Sequence, residues 1–448
     1  MHEILQRFLD EAPIAVMVRA TIARTIGSST LDDIFDRHAS DQYTRELTFS
    51  TVVQLMSKVV FCTYPSVNAA YQRSNDIPVS ITSLYNKLNG LETCVSQALV
   101  AETADSMGKV IGSLPHAPAD EPVKGLRLRT LDGNALAGTD HRLACLRGSG
   151  AAALPGLSLV VRDGRTGLLT NVAPCEDAYT NERALYPAIL ALVQADDLWL
   201  GDRNFCTDNY LEGIASRDAY FLIRHHAGTT LHPLGRESRH RHHAGGTISE
   251  QQVRIGMLQC RCIILRLKKP LRDGTTEIRL LTNVPRKRLS ARRAAELYRT
   301  RWRIESAFQE LTESLRCEID TMGYPRAALF GFALAVVAYN VLIVIRVALA
   351  AGLGEEIGGE DALSSYQMAV EVASVDKGLS IAVPASAWQK FVAMTVPEFA
   401  GGLYEVARSF DGRSYRKRPR GPKKPVDVKR TRRGAHRSTA RELIKSQK

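Results

Sequence analysis

One segment of the chain places a phenol, a guanidinium and a carboxylate at helical spacing. Tyr298, Arg301 and Glu305 lie in a stretch from about Ser290 to Cys317 whose periodicity predicts a helix. At roughly 100° per residue, these side chains and Thr312 share one stripe, beside an apolar stripe that can pack on a core. Such a stripe is suited to a site that binds a metal ion and a phosphate. Arg–Glu pairs at this spacing also occur on ordinary solvated faces.

Two aspartates follow predicted strands elsewhere in the sequence. The alternating run Leu126–Leu131 is followed by Asp132-Gly133, where we expect the strand to end in a turn. Asp202 follows the apolar run Leu198–Gly201, which is typical of a buried strand. Each aspartate alone is also compatible with a turn or a helix cap. If the two strands are neighbours, both aspartates and Glu305 converge, and three convergent carboxylates need divalent cations such as Mg²⁺ or Mn²⁺.

The ordered set of motifs resembles the DDE transposases of the insertion-sequence-4 family. The resemblance extends over about residues 120–345 and rests on Leu-Asp132-Gly, Asp202-Arg203 and a Tyr-x2-Arg-x3-Glu-x6-Lys signature. That signature is matched by Tyr298, Arg301 and Glu305, with Trp302 in the place where the family often has a tryptophan. This chain departs from the signature at Thr312, where the family has a lysine. We hypothesise that Arg316, one turn further along the predicted helix, compensates.

The resemblance implies a DNA transposase with Asp132, Asp202 and Glu305 as catalytic residues and metal ligands. Two ions, Mg²⁺ or Mn²⁺, would serve each active site, with Asp132 as the bridging ligand. The DNA-binding residues that it implies are Tyr298, Arg301, Trp302, Thr312, Arg316 and Arg203. The expected reaction is phosphodiester cleavage at terminal inverted repeats and transfer of the 3′-hydroxyl ends into target DNA, within a synaptic complex built on a homodimer.

The predicted elements have the order of an RNase H-like α/β core. Three strands come first, then a helix over Asn181–Gln194, a strand over Leu198–Gly201, a helix over Asp208–Arg217 and a strand over Tyr220–Arg224. The first three strands are Leu126–Leu131, Leu157–Arg162 and Gly167–Ala173, the last two joined as a hairpin. Residues 225–289 predict a β-rich insertion, because Val253–Leu267 and Glu277–Val284 alternate or carry β-branched residues. We therefore expect a mixed sheet flanked by helices and interrupted by that insertion.

The chain divides into five predicted regions. They are an N-terminal helical DNA-binding domain (1–112), a linker (113–122), the RNase H-like catalytic domain (123–350), a C-terminal helical region (351–412) and a basic disordered tail (413–448). In the first region, predicted helices over Ser66–Arg73 and Ser80–Asn89 are compatible with a helix-turn-helix. The tail contains 15 Lys/Arg and 2 Asp/Glu, so the net charge of +12 for the whole chain lies there. Such a tail is expected to bind DNA phosphates nonspecifically.

Three other features predict structure rather than chemistry. Ala327–Ile345 is almost wholly apolar, and we predict a buried helix rather than a membrane span. The histidines between His225 and His243 have no cysteine pair at a zinc-binding spacing, which favours DNA contact or solvation. The 8 cysteines are scattered and no signal peptide is visible, so a reducing cytoplasm is expected, with the protein on the bacterial nucleoid.

Two alternative functions remain open at this point. An RNase H-like nuclease would cut DNA without strand transfer. A transposase-derived DNA-binding protein with decayed catalysis would bind the repeats without cutting them, and Thr312 would be the first sign of that decay.

Overall fold

A large mixed sheet flanked by helices forms the body of the protein. The computed structural model describes residues 3–42, 44, 46–74, 77–116, 121–136, 143–147, 151–238, 241–243, 245–271, 274–418 and 436–447. The α/β class predicted from the sequence is confirmed.

Seven helices form the N-terminal region. Ser66 and Ser80 cap the fifth and sixth of these helices, because their side chains accept the backbone N–H groups of Ala69 and Ser83. Both helices of the predicted pair are therefore present. The seven are α1 (Glu3–Glu11), α2 (Pro13–Thr25), α3 (Ser28–His38), α4 (Phe49–Val60), α5 (Val67–Gln72), α6 (Ile81–Gly90) and α7 (Thr93–Ser113).

The first strands of the sheet have the RNase H-like arrangement. Strands β1 (Arg127–Leu136), β3 (Gly156–Asp163), β4 (Leu169–Cys175), β5 (Asp197–Gly201) and β6 (Tyr220–Arg224) lie in the order β4-β3-β1-β5-β6, and a short β2 (Ala152–Leu154) lies outside the sheet. The β1–β3 and β3–β4 pairs are antiparallel, whereas β1–β5 and β5–β6 are parallel. The RNase H-like core predicted from the order of elements is thus confirmed.

The connections within this core are shorter than predicted in one place. The helix expected over Asn181–Gln194 is a 3₁₀ turn, Glu182–Leu185, followed by a short α8 (Tyr186–Leu190). After α8 the backbone turns towards β5, where the Asp197 carboxylate accepts the N–H of Gln194 at 2.9 Å. Helix α9 (Asp208–Ala215) agrees with its prediction and connects β5 to β6.

The β-rich segment after β6 extends the same sheet. Its strands are β7 (His232–Pro233), β8 (Arg241–His243), β9 (Gly246–Ile255), β10 (Leu258–Leu267) and β11 (Glu277–Thr282). The sheet continues from β6 in the order β11-β10-β9-β7, with β8 paired to β9. The predicted strand Val253–Leu267 is in fact two strands, because the chain reverses at Gly256, where φ is +54°. The insertion is therefore β-rich as predicted, and it enlarges the sheet.

One long apolar helix anchors the sheet. The later helices are α10 (Ala291–Tyr298), α11 (Trp302–Glu313), α12 (Pro325–Leu353), α13 (Ser365–Ala382), α14 (Ser386–Ala393) and α15 (Val396–Arg408). By length and composition α12 could cross a membrane, but its most apolar stretch is entirely buried inside the protein, as predicted. The Asn340 side chain in α12 bonds both the N–H and the C=O of Leu169 at 2.8 Å. These two hydrogen bonds fix α12 against the start of β4.

The N-terminal and C-terminal helices share one hydrophobic core with α12. Phe49 of α4 packs its ring against Phe35 of α3 and Phe330 of α12, with centroid distances of 5.3 and 5.9 Å. Leu403 of α15 belongs to the same core. The packing is therefore continuous across the predicted boundary at residue 112.

Part of the basic C-terminal segment is regularly structured. A strand, β12 (His436–Ser438), pairs in parallel with β2, and α16 (Thr439–Ser446) follows it. The Asp177 carboxylate accepts hydrogen bonds from Ser438 (2.6 Å) and Arg441 (2.7 Å), which anchors this segment. The polar and basic composition predicts disorder here, and the sequence does not indicate pairing with β2 because that strand is remote in the chain. Residues 419–435, which contain much of the positive charge, lie outside the described residues.

Candidate functional site

The parallel pairing of β1 with β5 brings the two candidate aspartates together. The paired stretch ends where Thr130 lies opposite Leu200. If that register continues for two residues, Asp132 lies beside Asp202, about one strand spacing (~4.8 Å) away. The convergence expected of neighbouring strands is therefore supported by the register.

The turn predicted at Gly133 is wrong. Strand β1 continues to Leu136, because the residues after Asp132 pair with β3, with Gly133 opposite Leu159. Asp132 thus lies within a strand, where it pairs with Val160 of β3. A carboxylate on such a strand has less backbone freedom than one on a turn.

Both aspartates lie on the face of the sheet that α10 covers. Side chains alternate along a strand, so Asp132 shares a face with Leu128, and Asp202 shares one with Leu198 and Leu200. Those three leucines pack in one core with Leu297 of α10. The predicted signature helix consequently lies over the aspartates.

The signature helix is interrupted at its functional residues. A single helix is predicted from about Ser290 to Cys317, whereas a 3₁₀ turn, Arg299–Arg301, separates α10 from α11. Thr300 donates its hydroxyl to the carbonyl of Leu297 at 2.7 Å within this turn. Residues three apart align along a 3₁₀ turn, so Tyr298 and Arg301 lie one above the other.

Arg301 is the centre of charge in the site. Its guanidinium donates to Asp132 at 3.0 Å and also to Glu305. The side chains of Arg301 and Asp132 are each 18% exposed, whereas that of Glu305 is 55% exposed. Arg301 therefore connects the aspartate of the sheet with the glutamate of α11.

The surroundings of Asp132 disfavour the charged form of its carboxyl group. Its burial raises its pKa to about 6, and the negative charges of Asp202 and Glu305 add to that rise. Arg301 and the backbone N–H of Gly133 oppose it by stabilising the charged form. The direction shows that the neighbouring positive charge does not fully compensate for burial and repulsion.

Tyr298 extends the site towards β5 and β6. Its hydroxyl donates to the carbonyl of Gly201 at 3.3 Å. Burial raises the pKa of Tyr298 to about 12, Asp202 adds to the shift, and Arg301 and Arg224 oppose it. The phenol therefore keeps its proton near neutral pH and can act as a hydrogen-bond donor, not as a base.

The described residues do not contain a preformed metal cluster. No group of three or more His, Cys, Asp or Glu side chains within them is arranged to hold an ion. The Arg301 guanidinium pairs with both Asp132 and Glu305. A side-chain cation thus stands beside carboxylates that are also suitable ligands for a hard metal ion.

Three of the other predicted DNA-binding residues are accessible near these acids. Arg203 follows Asp202 directly and is exposed, and the Trp302 ring is 58% exposed at the start of α11. Thr312 is exposed on α11, with its hydroxyl donating to the carbonyl of Phe308 at 3.1 Å.

Arg316 does not lie on the face that the sequence predicts. Helix α11 ends at Glu313, so the helical spacing that relates Thr312 to Arg316 is lost. The Arg316 guanidinium instead donates to the carbonyls of Tyr64 and Pro65, between α4 and α5. The expectation that Arg316 compensates on the same helical face is wrong for this reason.

Glu182 is a fourth carboxylate near the site that the sequence analysis did not assign. An added Cβ on Gly133 would lie 2.1 Å from its Oε1, so the carboxylate packs directly on that glycine. Burial, and secondarily the charge of Asp202, raises the pKa of Glu182. Asn204 donates to it across 3.5 Å. In the sequence Glu182 stands only near the start of the helix predicted over Asn181–Gln194, a position that carries no signal for a role in the site.

A family comparison agrees with this geometry. Residues 156–341 match the profile of a protein family described as a transposase DDE domain. The matched region contains Asp202, Tyr298, Arg301 and Glu305 and begins after Asp132. The match covers less than half of the chain and shows that this region is similar to that family. No curated protein matches this sequence.

One similar solved structure is the cryo-EM structure of a piggyBac transposase synaptic complex with hairpin DNA. The identity is 11%, the alignment covers 86% of this chain and 75% of that chain, and the TM-score is 0.35. A likeness at that score does not place any side chain, so the roles of residues rest on the contacts described above.

We predict that Asp132→Asn stabilises the folded protein at neutral pH. The pKa of the Asp132 carboxyl is near 3.8 in the unfolded protein and about 6 in the folded protein. The folded protein is therefore most favoured below pH 3.8, where this carboxyl is protonated, and it loses that stability as pH rises through about 6. Asparagine carries no charge, so the variant should gain about 2–3 kcal/mol over wild type at pH 8 and little at pH 4. Thermal unfolding of both proteins across this pH range measures the difference.

The matched control is Asp105→Asn, which changes an exposed carboxylate on α7. It should behave like wild type at every pH. If the stability difference between Asp132→Asn and wild type does not grow between pH 4 and pH 8, the raised pKa of Asp132 is contradicted.

Proposed function

We propose that the protein is a DNA transposase of the insertion-sequence-4 type that cuts at its element's terminal repeats and joins 3′-hydroxyl ends to target DNA. The observation that carries this proposal is the meeting of Asp132, Asp202 and the Arg301–Glu305 pair beside the β1–β5 pairing. The match of residues 156–341 to a transposase DDE domain supports it. Asp132, Asp202 and Glu305 are its proposed catalytic residues.

A divalent metal ion fits the donor set of these three residues. Transposase DDE domains generally use divalent metal ions. The carboxylate oxygens of Asp132, Asp202 and Glu305 are the ligands that Mg²⁺ and Mn²⁺ prefer. Burial, and secondarily the charges of Asp202 and Glu305, raises the pKa of Asp132, and a cation would favour the charged form of that carboxyl. We propose two ions, which supply an activated water and stabilise the leaving oxygen.

The other side chains of the site act on the DNA. The planar guanidinium of Arg301 suits a phosphate oxygen pair as well as a carboxylate, so a DNA backbone can replace its present partners. The protonated phenol of Tyr298 can donate to a second phosphate oxygen. The exposed ring of Trp302 and the exposed guanidinium of Arg203 are placed to contact the same strand.

The proposed partners are terminal inverted repeats, target DNA and a second copy of the chain in a synaptic complex. Helix α6 presents Thr82, Ser83 and Asn86 to solvent on one face, which favours a role in reading the repeats. Lys87 is an exception, because its ammonium lies over the Phe35 ring at 4.0 Å. We further propose action on the nucleoid of a bacterial cell.

Cleavage of DNA carrying the element's terminal repeat should depend on a divalent cation and on Glu305. Wild type should cut at the repeat boundary with Mg²⁺ or Mn²⁺ and not with EDTA. Glu305→Gln should lower the rate by at least about 100-fold, because it removes a charged ligand whose effect is concentrated in the transition state. Gel analysis of end-labelled DNA measures the rate.

Glu313→Gln is the matched control, since Glu313 lies on the same helix and bonds Gln309. It should cut as wild type does. Cutting that survives EDTA or Glu305→Gln would contradict the proposed site. Cutting without joined products would favour the nuclease alternative, and binding without cutting would favour the decayed DNA-binding protein.

Thr312→Lys should strengthen DNA binding. Thr312 is exposed, and its hydroxyl is satisfied by its own helix, so a lysine there gains a phosphate contact without losing one. One added phosphate contact should steepen the slope of log K against log salt by about 0.9 on duplex DNA. Fluorescence anisotropy at several salt concentrations measures the slope, and an unchanged slope would show that DNA does not pass over Thr312.

A further inference from the structure

A row of positive charge continues the row of acids across the sheet. In the β5–β6 pair, Gly201 lies opposite Ile223, so continuing the register by one residue places Arg224 beside Asp202. On the other side, β11 pairs with β6, with Leu280 opposite Arg224. The adjacent Arg279 accepts the N–H of His225 on its carbonyl at 2.8 Å. Arg224 is thus about one strand spacing (~4.8 Å) from Asp202, and β11 is one further.

Arg224 lies on the same face of the sheet as the acids. Leu222, two residues before it, packs in the core that contains Leu200 and Leu297. Side-chain alternation therefore directs Arg224 to the face covered by α10. The charges of Arg224 and Asp202 both act on the phenol of Tyr298, which places all three groups close together.

These residues line an open cavity of about 460 Å³, here called the basic pocket. Five basic side chains and one carboxylate contribute to it: Arg203, Arg224, His225, His226, Arg279 and Glu277. Arg279 bonds Glu277 at 2.7 Å. Within the part of the chain that the structure describes, Arg203 and Arg224 have no carboxylate partner. The three arginines and one glutamate give the basic pocket a net charge of +2.

His226, and not His225, adds a hydrogen-bond donor to the basic pocket, because the N–H of His225 is already bonded to Thr229. His225 donates from Nε2 to the carbonyl of Thr229 at 2.8 Å. His226 accepts the N–H of Gly228 on Nδ1 at 3.0 Å, which leaves its Nε2 as the protonated nitrogen. A half-buried guanidinium without a counter-charge is costly, so an anion with several acceptor oxygens is the complementary ligand.

We infer that the basic pocket binds backbone phosphates of the DNA strand that passes through the acid site. This inference rests on the proposed function and specifies where the strand lies. Arg224 lies on the face of the acids, whereas Arg279, next to Leu280 on β11, lies on the opposite face with Leu281. Both guanidiniums reach the basic pocket at the ends of neighbouring strands, so a continuous polyanion can contact the pocket and the acids. Arg224 and Arg279 hold the phosphates, and Glu277 limits the affinity by competing for Arg279.

The salt dependence of DNA binding tests this inference. The probe is a fluorescein-labelled single strand of about 20 nucleotides, added to the full-length protein in EDTA so that no cutting occurs. Arg224→Gln and Arg279→Gln should each weaken binding and reduce the slope of log K against log salt by about 0.7. Glu277→Gln should tighten binding severalfold, because it frees Arg279.

Arg217→Gln is the matched control. Arg217 is exposed just before the opposite end of β6 and bonds the carbonyl of Gly213 at 2.7 Å, so its loss should leave the slope unchanged. The higher DNA affinity expected for Glu277→Gln distinguishes the proposed effect from misfolding, since a misfolded variant does not bind more tightly.

Three outcomes would overturn the inference. Arg224→Gln and Arg279→Gln could keep the wild-type slope, or Glu277→Gln could fail to tighten binding. Alternatively, wild type could take up inorganic phosphate while the pocket variants bind DNA as wild type does, which would make the pocket a site for a free anion. If wild type cuts at the repeat boundary in these cases, the proposed function stands. A wild type that binds no DNA would overturn both.

Discussion

The parallel pairing of β1 with β5 is the constraint on which the site depends. Its hydrogen bonds run to Thr130 and Leu200, and they direct the next residues of both strands, and with them Asp132 and Asp202, towards the same place. The two carboxylates therefore repel one another in a partly buried place, and the repulsion contributes to the raised pKa of Asp132. A positive charge must be supplied, and in the free protein the guanidinium of Arg301 supplies part of it.

Arg301 pairs with the acids in the free protein and, in the proposed function, with a DNA phosphate. In the free protein it pairs with Asp132 and Glu305, so the acids are held together without an ion. When phosphates and divalent cations are present, the same guanidinium can pair with a phosphate and the acids with the cations. The cost of keeping Asp132 ionised is tolerated because a large core, with α12 at its centre, supports the sheet.

The elements that local sequence patterns specify were predicted well. Strands β3, β5 and β6 agree with their predicted runs within one or two residues, since their apolar patterns have the period of a strand. The strand that contains Asp132 and the strand that Asp202 follows are neighbours, as convergence of the two acids requires. The pair Tyr298 and Arg301 was placed on one face, although the tighter turn that aligns them was not foreseen.

The features that the sequence did not predict all depend on remote partners. The carboxylate of Glu182 lies on Gly133 because two segments meet in space. Arg316 leaves the helix because carbonyls of Tyr64 and Pro65, far away in the chain, accept its guanidinium. In the same way, β11 joins β6 to enlarge the sheet, and only that pairing brings Arg279 into the same pocket as Arg224. Periodicity describes one segment at a time and carries no information on such contacts.

Direct measurement of Mn²⁺ binding tests the central claim, that Asp132 and Asp202 form one cation site. Electron paramagnetic resonance of Mn²⁺ counts free and bound ion without any requirement for catalysis. Wild type should bind Mn²⁺, and Asp202→Asn should weaken that binding by at least about tenfold, because one charged oxygen ligand is lost. Asp105→Asn should bind as wild type does. Equal Mn²⁺ affinity for wild type and Asp202→Asn would contradict the account.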